Sequence, residues 1–410
     1  MVITSPPRES VDMAPLTPTT WTPGDAEAAW QVLEEAFAEP AHDDDRAIEL
    51  GTVDAAQFLV VKDEGRVVAT GGSFALDMTM PGGRPAPIAG ITWISVQATH
   101  RRRGLLTAMM TRLLAQARER AEPLAALYAS EGAIYQRFGF GPASWHLALT
   151  VPRGAALTGP VGVPGLRRVE PTAELLAPAY DAHVATTPGS LRRHAAWWAT
   201  RLHDPEHGRR GASRLRCVRR DAGDGYVLYS VSNDDLGCGT VAVRELVATS
   251  QAAHAALWAY LLDLDLTTSV RAKVAADDPL LQRLAEPRAA QGRLSDSLWL
   301  RPVDVGAALS ARTYAADVDV VLDVADATCG WNEGRWRLST GAAGAVCART
   351  TDPADLALDV GDLGAALLGG TALQQRVGAG RITELRPGAL QAASTAFGPI
   401  GRGPWNPMSF

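Results

Sequence analysis

The sequence predicts an α+β protein built from three consecutive units, and three observations predict it. From Ile91 to Pro142 a β-branched run, a basic turn, an amphipathic repeat and a short apolar run follow one another, the order of a strand–helix–strand unit. Residues 151–168 then carry Gly and Pro without periodicity, which marks a linker, and the pattern of helices and strands restarts behind it. From Ser297 onward strands come first and helices follow. At 410 residues each unit is long enough to close its own core.

Residues 1 to about 20 are rich in Pro, Ser and Thr and are expected to be loose. Gly24-Asp25 opens a helix whose apolar positions are Ala28, Trp30, Val32, Leu33, Ala36 and Phe37. Glu39 to Asp45 reads as an acidic loop. Gln57–Val61 and Arg66–Thr70 flank Asp63-Glu64-Gly65, a hairpin, and Phe74 to Met80 makes a further strand before the turn Pro81-Gly82-Gly83. Ile91 to Val96 is β-branched and aromatic, a strand. Thr99 to Arg103 form a basic turn closed by Gly104, the residue type that tolerates any φ. Leu105, Leu106, Met109, Met110, Leu113 and Leu114 recur at i, i+4 and i+8, the stripe of a helix that Pro123 ends; Leu124 to Ala129 is a second buried strand.

The second unit repeats this plan: helices at 171–185 and 190–202, strands at Leu215–Val218, Tyr226–Val231 and Thr240–Val247, helix His254–Leu262 and strand Ser269–Val274. Ser297 to Val303 opens the third, with strands at Val318–Val324, Arg335–Ser339 and Leu356–Val360 and helices near 361–369 and 371–377. Gly403 to Phe410 is an extended, rather apolar tail.

A strand, an Arg-rich glycine turn and a helix together hold a phosphate. The free N–H groups of residues 103–107 face an anion, the helix dipole favours negative charge there, and two arginines add charge-assisted hydrogen bonds. The arrangement resembles the acetyl-coenzyme A motif of the GNAT acetyltransferases, Arg/Gln-x-x-Gly-x-Gly/Ala. Here it reads Arg101-Arg102-Arg103-Gly104-Leu105-Leu106, with Leu106 in place of the last small residue. The variant THRRRGLL, followed after one helix and one strand by ASEGAIYQRFGFGPA, is similar to a narrower family, the Eis-type N-acetyltransferases. The chain length and the terminal phenylalanine extend the likeness.

The resemblance implies a catalytic GNAT domain over residues 1–155, a degenerate GNAT-like domain over 165–297 and a sterol-carrier-protein-like α/β domain over 298–410 whose tail reaches the active site. The second domain is degenerate because Ala248 to Ala253, where the phosphate turn would sit, hold no glycine and no arginine. The implied activity is acetyl-CoA-dependent N-acetylation of an amine (aminoglycoside, polyamine or lysine side chain) by direct attack, and no cysteine in the motif region offers a covalent nucleophile. Arg102, Arg103, Gly104, Leu105, Leu106 and Thr107 would meet the pyrophosphate, and the backbone of Ile94, Ser95 and Val96 the pantetheine. Ser130-Glu131 would touch the cofactor, although Ser130 also suits the N-cap of a short helix Glu131–Phe138. Tyr135 takes the general acid's position, protonating the leaving thiolate, with Tyr128 its competitor. The carboxylate of Phe410 would serve as base, on a tail stiffened by Pro404 and Pro407; Glu39, Glu131 and His146 are the alternatives. The acidic loop would attract polyamines.

A net charge of −6 with 20% charged residues argues against nucleic acid or an anionic membrane as the main partner. No apolar run reaches bilayer length and MVITSPPRESVDMAP has no signal pattern, so a cytoplasmic protein is expected, with unconventional export as the alternative. Cys217, Cys238, Cys329 and Cys347 lack C-x-x-C spacing, which suggests neither a disulfide framework nor a zinc site. His203 to His207 reads as a surface loop rather than a metal site, and no metal is expected. Trp197, Trp198, Trp258, Trp331 and Trp336 supply more bulky apolar surface than two small domains require, which points to a homo-oligomer; the resemblance makes it a hexamer. Two other functions compete: a carrier of lipids or apolar ligands using the third unit, and an acyl-CoA-binding regulator without turnover.

Overall fold

The computed structural model describes residues 16–38, 42–160, 165–233 and 237–410. Residues 1–15, Glu39 and residues 161–164 of the linker lie outside it. The first sheet contains β1 (Thr19–Thr20), β2 (Phe58–Asp63), β3 (Arg66–Thr79), β4 (Pro85–Val96), β5 (Leu124–Tyr128) and β6 (Gly141–Pro142), in that order except that a strand from far downstream enters between β5 and β6. Glu64 and Gly65 both adopt left-handed φ (48° and 81°), as a two-residue turn between twisted strands requires.

Two expectations fail here. Phe74 to Met80 is not a separate strand but the continuation of β3. Gly71 and Gly72 lie inside this long strand and allow close approach: a Cβ on Gly72 would lie 2.2 Å from the Phe58 ring. Asp43 to Asp45 of the expected acidic loop are helical. Helix α1 (Ala26–Phe37) is followed by α2 (Asp43–Leu50), whose first turn is Asp43, Asp44 and Asp45, where carboxylates complement the helix dipole. Helix α3 (Leu105–Glu119) buries Leu105, Met109, Met110, Leu113 and Leu114 of the stripe read from the sequence and leaves Leu106 half-buried.

The first two units exchange strands. β7 (Trp145–Pro152), which follows β6 in the chain, leaves the first sheet and lies in the second between strands Thr267–Ala275 and Gln291–Asp296. In return Leu298–Pro302 pairs antiparallel with β5 and with β6. It was expected to open the third unit. All five of its residues are buried, which suits a central position in a sheet and no free edge.

The third sheet runs in the order Gly344–Arg349, Gly334–Gly341, Asp319–Ala325, Leu356–Asp359, Ile382–Glu384. Its helix Val360–Ala366 packs so closely on the exchanged strand that a Cβ on Gly364 would sit 2.2 Å from the Leu300 carbonyl oxygen. Arg301 on that strand is completely buried, with Asp326 at 2.5 Å and the Phe138 carbonyl as partners. The tryptophans that suggested an oligomer are consumed by the chain's own packing: Trp197, Trp198, Trp258 and Trp336 are buried, and Trp331 is half-buried against the first unit.

Candidate active site

β4 and β5 run parallel, but they pair only at Ile88–Gly90 with Leu124–Ala126. Beyond that rung β4 stays with β3 as far as Val96, and β5 stays with Leu298–Pro302 as far as Tyr128. The two facing edges therefore part and leave backbone groups for something else to satisfy. A bulge helps to open the gap: between the pairs Thr70–Ser95 and Gly72–Thr92 one residue of β3 faces two of β4, and Trp93 takes φ 55°. Its ring is held by Phe58 at 5.2 Å and Trp30 at 5.3 Å. Ile94, Ser95 and Val96 form the lip beyond the bulge. Gln97 N–H donates to the Val68 carbonyl at 2.9 Å, so alternation along the strand turns the Val96 N–H away from β3 and towards the gap.

Below the lip α3 begins. Its N-cap is Gly104, with φ 79° and no capping side chain, and the first helical bond is Ala108 N–H to Gly104 O at 3.0 Å. The amides of Leu105, Leu106 and Thr107 thus have no intrahelical acceptor. A Cβ on Gly104 would meet nothing within 4 Å, so the space above this helix end is open. Arg102 is exposed with φ 64°. Arg103 donates to Asp63 at 3.2 Å, and the His100 ring nitrogen lies 3.0 Å from the same carboxylate. The hydrogen bond from His100, joined by Arg103, holds the Asp63 carboxyl below its usual range.

The corresponding helix of the second unit, Gln251–Leu262, shows the opposite design. Ser250 accepts from Ala253 N–H at 3.0 Å and donates to Asp224 at 2.6 Å. That end is closed by a side chain and faced by a carboxylate, which an anion would have to displace.

The short helix after β5, α4 (Gly132–Gln136), starts one residue later than expected. Glu131 is its N-cap residue and makes no capping bond. Ser130 does not cap it either; its hydroxyl hydrogen-bonds Tyr135. Burial pushes the Tyr135 phenol up, and this hydrogen bond opposes the shift. Tyr135 is 8% exposed, packed among Ile91, Leu127, Phe140 and Trp299.

The C-terminal tail returns to this place. The Phe410 ring lies 5.4 Å from that of Tyr128, edge to face, and 3.0 Å from where a Cβ on Gly90 would be. Gly90 is in the last rung that joins β4 to β5, so the final residue sits at the fork of the gap. The approach is held by side chains on carbonyls: Ser190 on Trp405 at 2.7 Å, Arg201 on Pro407 at 2.9 Å, and Tyr128 on Met408 at 2.8 Å. Ser409 borders two cavities, one of about 1430 Å³ that also touches Tyr128, His146 and Arg402, and one of about 200 Å³ beside Trp197 and His203. Burial and Lys273 lower the pKa of His146. Sequence reasoning missed Ser190, Arg201, Asn406 and Asp63. Only the fold brings the first two to the tail.

His203 and His207 both point a ring nitrogen at Asp45, each at 2.8 Å, and tie α2 to the second unit. Among the described residues no group of histidines, cysteines and carboxylates has the arrangement to hold a metal ion. No helix there is long and apolar enough to cross a membrane.

The family described as Acetyltransferase (GNAT) domain matches residues 18–143, a second family of the same description matches 189–302, and Sterol carrier protein domain matches 305–407. An uncharacterized N-acetyltransferase of Streptomyces avermitilis is 47% identical over 85% of this chain and 88% of its own. N-acetyltransferase Eis of Mycobacterium tuberculosis is 35% identical over 78% of this chain and 81% of its own. The crystal structure of Eis1 from Mycobacterium abscessus superposes with a TM-score of 0.83 at 32% identity, covering 95% of this chain and 98% of that one.

Proposed function

The chain belongs to the Eis-type GNAT N-acetyltransferases, and on that premise we propose that it moves the acetyl group of acetyl-CoA onto a small-molecule or peptide amine by direct attack. The observation that carries this is the fork: β4 and β5 part after Gly90, with an uncapped helix end below and the chain terminus at the branch point. The residues present fit the cosubstrate. Leu105, Leu106 and Thr107 offer amides to a pyrophosphate and Arg102 an exposed guanidinium, while Arg103 is shared with Asp63. Ile94, Ser95 and Val96 offer a strand edge to the amides of a pantetheine. Ser130 and Glu131, at the start of the helix that carries Tyr135, would touch the cosubstrate.

When bound, acetyl-CoA supplies an activated thioester. The Val96 N–H would polarise its carbonyl, and Tyr135 would deliver a proton to sulfur, since burial keeps the phenol protonated. The Phe410 carboxylate would act as base through a water or by ordering the amine's loss of a proton. An acceptor would come through one of the cavities that Ser409 borders. Of the acidic residues proposed to draw in polyamines, Asp43 and Asp44 are exposed, whereas Asp45 is occupied by the histidines. The same proposal includes the three domains at 1–155, 165–297 and 298–410, joined by the strand exchange, a homohexamer and a cytoplasmic location.

The test is thiol release from acetyl-CoA against a panel of polyamines, aminoglycosides and lysine peptides. Turnover with any of them is expected. Tight coenzyme A binding without turnover on the whole panel would favour the regulator without turnover, and no coenzyme A binding would favour a carrier of apolar ligands.

A further inference from the structure

The second unit has lost its phosphate turn, yet its best-ordered electrostatics point at the tail. Glu245, on strand Gly239–Ala248, is 3% exposed and gathers four donors. Arg193 binds it in two-pronged fashion at 3.0 and 2.5 Å, the Tyr226 hydroxyl donates at 2.6 Å, and Arg201 Nε donates at 3.0 Å. Burying a carboxylate among hydrocarbon is costly unless its charge is matched. Arg193, itself buried, matches it and stacks over Tyr180 at 3.9 Å. Arg201 is therefore a second cation on a carboxylate that already has one, and its Nη2 reaches onward to the Arg244 carbonyl at 2.8 Å and the Pro407 carbonyl at 2.9 Å.

We propose that Arg201 is a positioning residue for the C-terminal carboxylate, and that the second unit supplies the rigid anchor, Glu245 with Arg193, from which Arg201 holds the tail. An extended segment with no sheet partner has few backbone groups to satisfy its carbonyls, and here side chains take that place. Pro407 cannot donate, and Met408 is already bound by Tyr128 and Asn406, so the Pro407 carbonyl is where the second unit grips. Three residues separate that carbonyl from the terminal carboxylate. A guanidinium fixed by a buried carboxylate has little rotamer freedom left to lose, which is what positioning requires.

The inference rests on the base role proposed for Phe410, and its test separates the two. Arg201→Gln, Arg201→Lys and a Phe410 deletion are compared in the full-length enzyme by steady-state kinetics and by hydrogen exchange of residues 403–410, with circular dichroism as a check on folding. Arg201→Gln is expected to lower kcat roughly tenfold or more with the KM for acetyl-CoA unchanged, as for the loss of charge-assisted hydrogen bonds made away from the cosubstrate. It should also speed exchange in the tail, and Arg201→Lys should recover part of both. Wild-type kcat and wild-type tail exchange in Arg201→Gln would overturn the inference while leaving the Phe410 role to the deletion. Full turnover of the deletion would overturn the base role, and faster tail exchange in Arg201→Gln would still show the grip.

Discussion

The Tyr128 hydroxyl donates to the Met408 carbonyl at 2.8 Å and accepts from Asn406 at 2.9 Å, so the tyrosine at the end of β5 is part of the seat of the tail. Its one proton is engaged, and burial raises its pKa far above that of a free phenol, outweighing the opposing bond from Asn406. Tyr135 is left as the candidate acid, its hydroxyl bonded to Ser130 and, among the described residues, to no carbonyl.

Tyr135→Phe should therefore leave coenzyme A affinity intact and cut kcat by about 10²-fold or more, the scale of a lost general acid. Tyr128→Phe removes the bonds to the Met408 carbonyl and from Asn406, neither of them to reacting atoms, and should cost less, about tenfold at most. Calorimetry with coenzyme A and initial rates decide it; the reverse ranking transfers the acid role to Tyr128.

The pH profile gives a second check. Burial raises the Tyr135 pKa, so the acid form persists through neutral and mildly alkaline pH and its loss begins above the ordinary phenol value of about 10. A break in kcat near pH 8 that vanishes in Tyr135→Phe would contradict this.

Gly104→Val places a β-branched residue at φ 79°, which costs about 1–2 kcal/mol, and projects methyl groups into the open space over the helix end. Coenzyme A binding should be lost by calorimetry while the circular dichroism spectrum stays native. Retained affinity would remove the pyrophosphate from this turn.

What the sequence made legible follows from where the signals are local. The turn 99–104, the α3 stripe and the β2–β3 hairpin are set by residues within a few positions of each other, and each forms at its expected place. That β3 is one strand through Thr79 was not legible, because Gly71 and Gly72 inside it answer to the distant side chains of Ile94 and Phe58 and not to any neighbour in sequence. The destination of Leu298–Pro302 was illegible for a related reason: its composition declares burial on both faces but not which sheet provides it. The seat of the tail joins residues 128, 190, 201 and 406, a juxtaposition that no spacing records.

Glu245 makes a stability prediction with a definite sign. Burial would raise its pKa, but Arg193, Arg201 and their hydrogen bonds prevail and hold it at about 2. A carboxylate whose folded value lies below its unfolded value contributes stability above the unfolded value and loses it as pH falls through the folded one. The contribution should fade between the ordinary carboxylate range and about pH 2. Urea melts should show Glu245→Ala destabilised by about 3–5 kcal/mol at neutral pH, because Arg193 is left unpaired, with a smaller difference at pH 3. An equal deficit at both would assign the loss to packing.

The proposed hexamer gets no support from the tryptophans, which are buried within the chain or packed against its first unit. Exposed apolar side chains remain on two strands at sheet edges, Leu294 (57% exposed) and Val346 (66%), and edge strands need covering. Sedimentation at micromolar concentration should give a symmetric oligomer that Leu294→Lys or Val346→Lys weakens. A monomer in the unaltered protein would refute the assembly.

The last prediction concerns the terminal carboxylate. An incoming ammonium must lose a proton, and the titratable groups near the fork are otherwise engaged: Tyr128 and Tyr135 are raised by burial, and His100 is bound to Asp63. Glu39, an alternative base, lies outside the described residues. His146 lines the large cavity with its pKa lowered by burial and Lys273, which makes it a weaker base than an ordinary histidine. A frayed terminus would need none of the four side chains, Ser190, Arg201, Tyr128 and Asn406, that bind carbonyls of the last six residues. Deleting Phe410, or extending the chain beyond it so that its carboxylate becomes an amide, should remove most of kcat while coenzyme A still binds. An N-terminal extension should be harmless. Full activity with a C-terminal extension would take Phe410 out of the chemistry and leave Glu131 and His146 to be tested as base.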